Sequence, residues 1–348
     1  MSPRKPYAAL LPLLLPFLLG LLTAAPARAA DNGSWSVYPV ASAVAARPYF
    51  YVSADPGRSV QDKVVVANKT AGPLTFRLYA ADAYNTARDG GFAVKSLGER
   101  MRGVGAWAVL PKDRITVPAH RTVTVPFTVK VPEDAEPGDH PGAIVALDER
   151  IDRGDGSVAL GVQRAVGARV YLTVGGPTLP ALAVENVRIS HRQPLIPGLG
   201  DSTATISYTL HNTGNVTLKP KVALKAEGLF GRTLLTRDLR NLPSQLLPGQ
   251  RVRLTETWRG APQLDWADVK LTATATGTKE SATVSFVAVP WLLAGVVMAG
   301  TALGGWLLIR RRRTRPEGAR GVDIMRLPRR ARPAPTDSHP KAHTPTGA

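Results

Sequence analysis

Apolar and polar residues alternate along most of the chain between residues 31 and 286. The clearest run covers residues 122–131, where every second position from Val123 to Val131 is apolar and the positions between are Thr, Pro or Lys. A period of two predicts β-strands with one buried face. Because Pro126 has no N–H to donate, we expect this strand at a sheet edge or with a bulge. Turn residues such as Asp55-Pro56-Gly57 separate similar runs, so the region predicts an antiparallel β-sandwich.

One strand-and-turn pattern occurs twice in this region. The apolar strand that ends at Asn68 is followed by a small polar turn and a second strand, and the strand that ends at Asn212 is followed in the same way. Asn suits such a turn because its side chain can bond nearby backbone groups. We therefore predict an all-β protein with two immunoglobulin-like β-sandwich domains, residues 34–175 and residues 178–286, divided at Gly175-Gly176-Pro177.

A long apolar run lies at each end of the chain. Residues 8–22 are apolar, follow Arg4 and Lys5, and precede a site with small residues, which predicts a signal peptide over residues 1–29 that is cleaved between Ala29 and Ala30. Residues 287–309 are 23 uncharged residues in a row. As a helix they would span about 34 Å, enough to cross the roughly 30 Å hydrocarbon core of a bilayer. We predict one transmembrane helix there.

The charge of the chain is concentrated at its ends. Of the net +18, +3 lies in residues 1–30, +8 in residues 310–348 and only +7 between them. A basic cluster directly after a span stays in the cytoplasm. The four arginines that follow the predicted span therefore act as a stop-transfer signal, with residues 310–348 a disordered cytoplasmic tail and both domains outside the cell membrane, on the wall side. These residues are Arg310, Arg311, Arg312 and Arg313.

Several kinds of site are disfavoured. The chain has no cysteine, and none of the four histidines in residues 31–286 pairs with another at metal-ligand spacing. No nucleophile elbow or phosphate-binding loop occurs either. The acidic residues around Gly154 lack the spacing of a calcium-binding loop, so a solvated hairpin is favoured there. Without aromatic residues between the basic ones, the tail does not predict nucleic-acid binding. We expect a non-catalytic protein with no metal and no cofactor.

Two groups of residues fit a sugar ligand, which stacks on aromatic rings and bonds to amide and carboxylate groups. Both groups have an ordinary structural alternative, because sandwiches of this size also need Trp and Tyr in their cores and at their corners. The first group is Asp82, Tyr84, Asn85, Asp89 and Trp107. The second group is Trp35, Tyr49 and Tyr51, of which the two tyrosines share a strand face.

An ordered series of short motifs covers residues 34–175. In chain order it includes Trp35-Ser36-Val37-Tyr38-Pro39, Pro48-Tyr49-Phe50-Tyr51, Asp82-Ala83-Tyr84-Asn85, Trp107 and Gly142-Ala143-Ile144. The series resembles the peptidoglycan-binding N-terminal domain of the WxL-interacting proteins of Gram-positive bacteria. The resemblance implies a surface protein that binds peptidoglycan and a second, secreted surface protein. Because 32 Arg accompany only 12 Lys, we expect an actinobacterial-type member, for which the wall-binding role transfers better than a WxL-domain partner.

The sequence leaves two functions open. The first is a membrane-anchored cell-surface protein that binds peptidoglycan or another wall glycan, together with a partner surface protein. The alternative is an accessory subunit or assembly chaperone for an exported protein or a transporter, which acts through edge-strand contacts.

Overall fold

The computed structural model describes residues 30–42, 47–150, 152–153 and 161–313. The predicted signal peptide, including Ala29, and the tail after Arg313 lie outside the described residues. We number strands and helices in chain order.

The first domain is a sandwich of two sheets. The first sheet runs, in spatial order, through β1 (Ala30–Asp31), β2 (Trp35–Pro39), β4 (Ser59–Asn68), β9 (Thr122–Lys130) and β7 (Ala108–Val109). The second runs through β3 (Phe50–Ala54), β13 (Ala165–Val174), β10 (Gly138–Asp148) and β5 (Leu74–Asn85), with β6 (Phe92–Val94) and β8 (Arg114–Val117) both on β5. A short helix, α1 (Val104–Trp107), and a small hairpin of β11 (Asp152–Arg153) and β12 (Gly161–Val162) complete it.

The second domain is a smaller sandwich. One sheet contains β14 (Leu182–Arg192), β15 (Thr203–Asn212) and β18 (Arg251–Arg259) in that order. The other contains β17 (Thr233–Asp238), β16 (Lys221–Glu227), β19 (Asp265–Ala275) and β20 (Thr278–Ala288). A single 3₁₀ turn, Leu229–Gly231, connects β16 to β17. The predicted fold class is confirmed: the chain is mostly β, with immunoglobulin-like sandwiches and one C-terminal apolar helix.

Each domain has its own core, formed by the inward residues of both sheets. In the first domain Trp35 packs against Phe76 with ring centroids 5.2 Å apart, and Phe50 meets Phe127 edge to face at 5.0 Å. In the second domain Trp258 meets Phe286 edge to face. The alternation over residues 122–131 is confirmed as β9, which pairs along its length with β4 but meets β7 over only two residues. Pro126 therefore lies on a strand near the sheet edge, as its missing N–H requires.

The repeated asparagine has the same role in both domains. Asn68 Nδ2 donates to the carbonyl of Gly72 at 2.7 Å, and Asn212 Nδ2 donates to the carbonyl of Val216 at 2.7 Å. Each amide also donates to a carbonyl that is distant in the sequence: Asn68 bonds Val117 of β8, in the other sheet, and Asn212 bonds Leu246, in the segment before β18. The predicted repeat is thus a structural one.

The C-terminal helix, α2, spans Trp291–Arg313 rather than the predicted residues 287–309. Val287 and Ala288 still belong to β20, because the strand continues to its pairing partner Asp265. Pro290, which lacks an N–H, separates the strand from the helix. The four arginines form the last helical turn, where positive charge is favoured by the helix dipole. Among the described residues, α2 is the one helix long and apolar enough to cross a membrane.

Candidate binding surfaces

Asp82 holds the segment before α1 against the sheet. It lies on β5 and is 8% exposed. Its carboxylate accepts hydrogen bonds from the backbone N–H groups of Arg102 at 2.6 Å, Gly103 at 3.0 Å and Gly105 at 2.8 Å. Lys95 Nζ lies 3.5 Å from the same carboxylate. The first predicted site residue, Asp82, therefore has a structural role: it holds the backbone of Arg102 and Gly103, which line a groove between the domains.

Asn85 joins the two domains. Its buried amide donates to the carbonyls of Gly90 at 2.8 Å and Gln245 at 2.7 Å, and accepts from the backbone N–H of Leu247 at 2.9 Å. Because these bonds use both ends of the amide, Asn85 is engaged in the domain interface rather than directed to a ligand.

Asp89 stabilises a tight turn. Its Oδ1 accepts from the Thr86 hydroxyl and from the backbone N–H of Gly91 at 3.0 Å. The hydrogen bond from Thr86 is the main reason that the pKa of Asp89 is lowered. Asp89 borders a recess that contains Arg240 and Arg253, which is separate from the groove lined by Asp82 and Tyr84.

A groove runs between the domains above Asp82. Tyr84, Lys95, Glu136 and His140 of the first domain line it, and Gln250 faces them from the second, around a volume of about 460 Å³. An adjoining recess of about 530 Å³ shares Glu136 and His140 with this groove. Trp107 lines that recess, with its ring 4.7 Å from the imidazole of His140. The structure thus brings Asp82, Tyr84 and Trp107 to one depression, but not Asn85 or Asp89.

Trp35 lies apart from the other two residues of the second predicted group. Its side chain is 1% exposed in the core of the first domain. Because β2 and β3 belong to different sheets, Trp35 points inward from one sheet, whereas Tyr51 points outward from the other. Trp35 is therefore a core residue of the sandwich and is not part of a ligand-binding surface.

Tyr49 and Tyr51 belong to a larger aromatic cluster, which we define as Tyr49, Tyr51, Phe92 and Tyr171. The rings of Tyr51 and Tyr171 are stacked, with centroids 5.5 Å apart and an interplanar angle of 14°. Tyr49 meets both of them edge to face, and Phe92 lies 6.2 Å from Tyr171. Tyr51 is 64% exposed.

A single arginine is packed into this cluster. The guanidinium of Arg169 lies 4.3 Å from the Phe92 centroid and 5.3 Å from that of Tyr49, within cation–π range. The Tyr171 hydroxyl donates to Gln245 Oε1 of the second domain at 2.8 Å. Sequence reasoning missed Arg169 and Tyr171, although they alternate with the buried Val170 and Leu172 on β13 and so had to face outward.

The aromatic cluster lies beside a free strand edge. β3 is the last strand of its sheet and pairs in parallel with β13, with Tyr51 opposite Tyr171. In the part of the chain that the structure describes, no strand pairs with the outer side of β3. Ser53, the next outward residue of β3, is exposed as well.

The predicted topogenic residues lie at the two ends of the described chain. Ala30 is the first residue of β1 and pairs with Val37, so cleavage after Ala29 would leave a mature chain that begins directly in a strand. At the other end, the guanidinium of Arg310 lies 5.3 Å from the ring of Trp306 in the preceding turn.

No group of three or more His, Asp or Glu with metal-binding geometry is found among the residues that the structure describes. In the acidic segment, Asp148 is paired with Arg150 at 2.8 Å and Glu149 with Arg114. Asp155 and the side chain of Asp152 lie outside the described residues.

No protein-family model matches the chain, and no curated protein matches it. Solved structures with some likeness include a chaperone–tip adhesin complex of CFA/I fimbriae (10% identity, 74% of this chain and 98% of that chain, TM-score 0.34). The CsuC–CsuE chaperone–tip adhesin complex of Acinetobacter baumannii (9%, 72% and 97%, 0.33) and the class 5 fimbriae chaperone CfaA (10%, 73% and 99%, 0.32) are others. TM-scores of this size do not indicate a function, which is therefore inferred from the sequence and structure of the chain.

Proposed function

We propose that the chain is a non-catalytic accessory or assembly protein that binds a partner polypeptide at the β3 edge while α2 attaches it to the cell membrane. The observation that carries the proposal is the free outer edge of β3 next to the exposed Tyr51, whose ring stacks on the half-buried Tyr171. An exposed strand edge offers backbone N–H and C=O groups to an added strand. The Tyr51 ring offers apolar area for the partner's side chains, and its hydroxyl group can bond polar ones.

Membrane attachment is supported by the composition of α2. Its side chains are apolar on all sides up to Arg310 and are exposed to the surroundings. A helix of this kind is either buried in a large core or surrounded by lipid. Together with the N-terminal signal pattern and the arginines of its last turn, this favours a single-pass protein whose two domains lie outside the cell and whose tail lies in the cytoplasm.

Site-specific photocrosslinking in the natural host tests the proposal. A photoreactive phenylalanine analogue at Tyr51 is expected to capture one polypeptide, whereas the same analogue at Leu97, an exposed apolar position away from β3, is expected to capture none above background. Ser53→Lys should abolish the Tyr51 product, since lysine on an edge strand blocks strand addition. Equal products at both positions, or a Tyr51 product that Ser53→Lys leaves unchanged, would contradict strand addition at β3.

Binding of a wall glycan is a second candidate function, and the interdomain groove favours it. Tyr84 and Trp107 present rings on either side of Glu136 and His140, which are polar groups able to bond sugar hydroxyls. This combination is what the resemblance to WxL-interacting proteins leads us to expect of a peptidoglycan-binding domain.

Sedimentation of the detergent-solubilised chain with purified sacculi tests the second candidate. We expect the chain to be retained and Tyr84→Ala to weaken retention, whereas Leu97→Ala serves as an exposed control outside the groove. If neither the parent chain nor the control is retained above background, or if Tyr84→Ala has no effect, the groove does not bind wall glycans.

A further inference from the structure

Exposed apolar side chains are concentrated in the loops at one end of the second domain. The loop between β14 and β15 carries Leu195 and Leu199, and the loop before β19 carries Leu264, each more than two-thirds exposed. Trp266 of β19 and Val287 of β20, a directly opposed pair, are also exposed. Large exposed apolar patches on soluble domains mark interaction surfaces.

Strand register places these loops at the same end of the domain. Thr203 at the start of β15 pairs with both Arg192 and Arg259, so the β14–β15 and β18–β19 loops share an end. In the other sheet Asp265 pairs with Ala288, so β19 begins where β20 finishes. With Leu179 excepted, every large apolar side chain of the second domain that is exposed lies at this end.

The 3₁₀ turn Leu229–Gly231 lies at this end too and carries the most exposed of the large apolar side chains that the structure describes. Phe230 is fully exposed and has a φ of 61°, a conformation that is strained for a bulky residue. Asp265 holds the turn by accepting from the Leu229 N–H at 2.9 Å and from the Arg232 guanidinium at 2.7 Å. The hydrogen bonds of Asp265 therefore hold the turn in a conformation in which the Phe230 ring points away from the core.

The other loops are held in the same manner. The side chain of Gln263 accepts from the N–H of Gly198 at 2.9 Å and donates to the carbonyl of Gly200 at 3.1 Å, which ties the β14–β15 loop to the β18–β19 loop. Gln193 donates to the carbonyl of Val289, two residues before α2 begins at Trp291. The apolar end is thus attached to the residue through which the chain enters the helix.

We infer that this end of the second domain, which we call the apolar end (Leu195, Leu199, Phe230, Leu264, Trp266 and Val287), rests in the outer interface of the lipid bilayer. The inference rests on the proposed membrane attachment through α2. With α2 in the bilayer, the membrane surface begins within a few residues of Val287. Because the other loops of the apolar end lie at the same end of the domain, the lipid surface can contact all of them together. Aromatic and aliphatic side chains at an interface are buried roughly 5–10 Å into the headgroup region.

The full chain in lipid nanodiscs provides the test. Because the chain has no cysteine, one fluorophore can be attached at a single introduced cysteine, and quenching by spin-labelled lipid then reports lipid contact. We expect the label of Phe230→Cys to be quenched at least about twofold more than that of Leu179→Cys, which is exposed outside the apolar end. Leu199→Cys gives an independent reading from a different loop.

A third position separates the inference from the proposed attachment. The label of Leu303→Cys, in the middle of α2, must be quenched if the helix spans the bilayer. Quenching at Leu303 with aqueous labels at both Phe230 and Leu199 would overturn the docking inference and leave the attachment intact. An aqueous label at Leu303 would overturn the attachment itself, and the docking inference with it.

Discussion

At the scale of single residues, three asparagines act as polar joints in buried positions. Asn68 and Asn212 close a turn inside each domain, and their partners include a carbonyl four residues further along the chain. This local role follows from sequence, because an Asn at the end of a strand readily bonds the backbone of the turn that follows it. Asn85 uses the same amide groups, but its partners Gln245 and Leu247 lie in the other domain. Its role therefore could not be predicted from the sequence.

Asn85→Ala is expected to destabilise the folded chain. The substitution leaves the Leu247 N–H and the Gln245 carbonyl without their partner in a buried interface, at a cost of about 1–3 kcal/mol. For a folded region of this size, each kcal/mol lowers Tm by about 2–4 °C. Thermal unfolding of the full chain in detergent measures this, with the exposed Asn241→Ala as the matched control. Equal Tm values for the two variants would contradict the joint role of Asn85.

At the scale of elements, strands were predictable and ends of elements were not. The alternation that predicted β9 and β13 is physical, since one face of each strand is buried. The start of α2 was misplaced because Val287 is apolar and reads as part of the helix, whereas its pairing with Trp266 keeps it in a strand. The outward Phe230 could not be predicted, because a positive φ at a bulky residue depends on Asp265, 35 positions away.

The link between the Leu229–Gly231 turn and β19 should make the second domain sensitive to acid. The backbone hydrogen bond from Leu229, followed by the one from the Arg232 guanidinium, lowers the pKa of Asp265 below its ordinary value of 3.8. A carboxyl whose pKa is lower in the folded state stabilises the fold above the unfolded pKa, and that contribution is lost as pH falls through the folded pKa.

We therefore expect unfolding temperatures measured from pH 6 down to pH 3 to fall less steeply for Asp265→Asn than for the parent chain, although Asp265→Asn starts from a lower value. Asp268→Asn is the matched control on the same strand, because Asp268 is exposed and accepts a hydrogen bond from the Ser285 hydroxyl. The interpretation fails if Asp265→Asn and the parent chain lose stability in parallel as the pH falls.

At the scale of the whole β-structured region, the two domains form one body joined by hydrogen bonds. Asn215 donates to the carbonyls of Pro137 at 2.8 Å and Pro177 at 3.0 Å, and Asp139 accepts from the Thr217 N–H at 2.8 Å. Two domains were predictable from the repeated strand pattern. Their fixed arrangement was not predictable, since each bond joins segments that are distant in the sequence and share no pattern that would pair them.

Gly138→Ala should loosen this joint. Gly138 has a φ of 118°, and a Cβ placed there would lie 2.2 Å from the carbonyl oxygen of Asn215. Since alanine fits neither the space nor the conformation, we expect a loss of more than about 1 kcal/mol. Urea unfolding measures the loss, and limited proteolysis should cut the linker near Gly176 faster. Gly72→Ala, where a Cβ meets nothing, is the control; equal linker cleavage in both variants would contradict the prediction.

The length of β20 determines how far the domain interface lies from the apolar end. Its 11 residues run from the Gly277 turn, beside Pro180 of the linker, to the apolar end, a distance of about 36 Å. With the apolar end at the lipid surface, the length of β20 would lie between the lipid and the domain interface. A partner bound beside the domain interface would then be held away from the lipid surface by the length of the second domain.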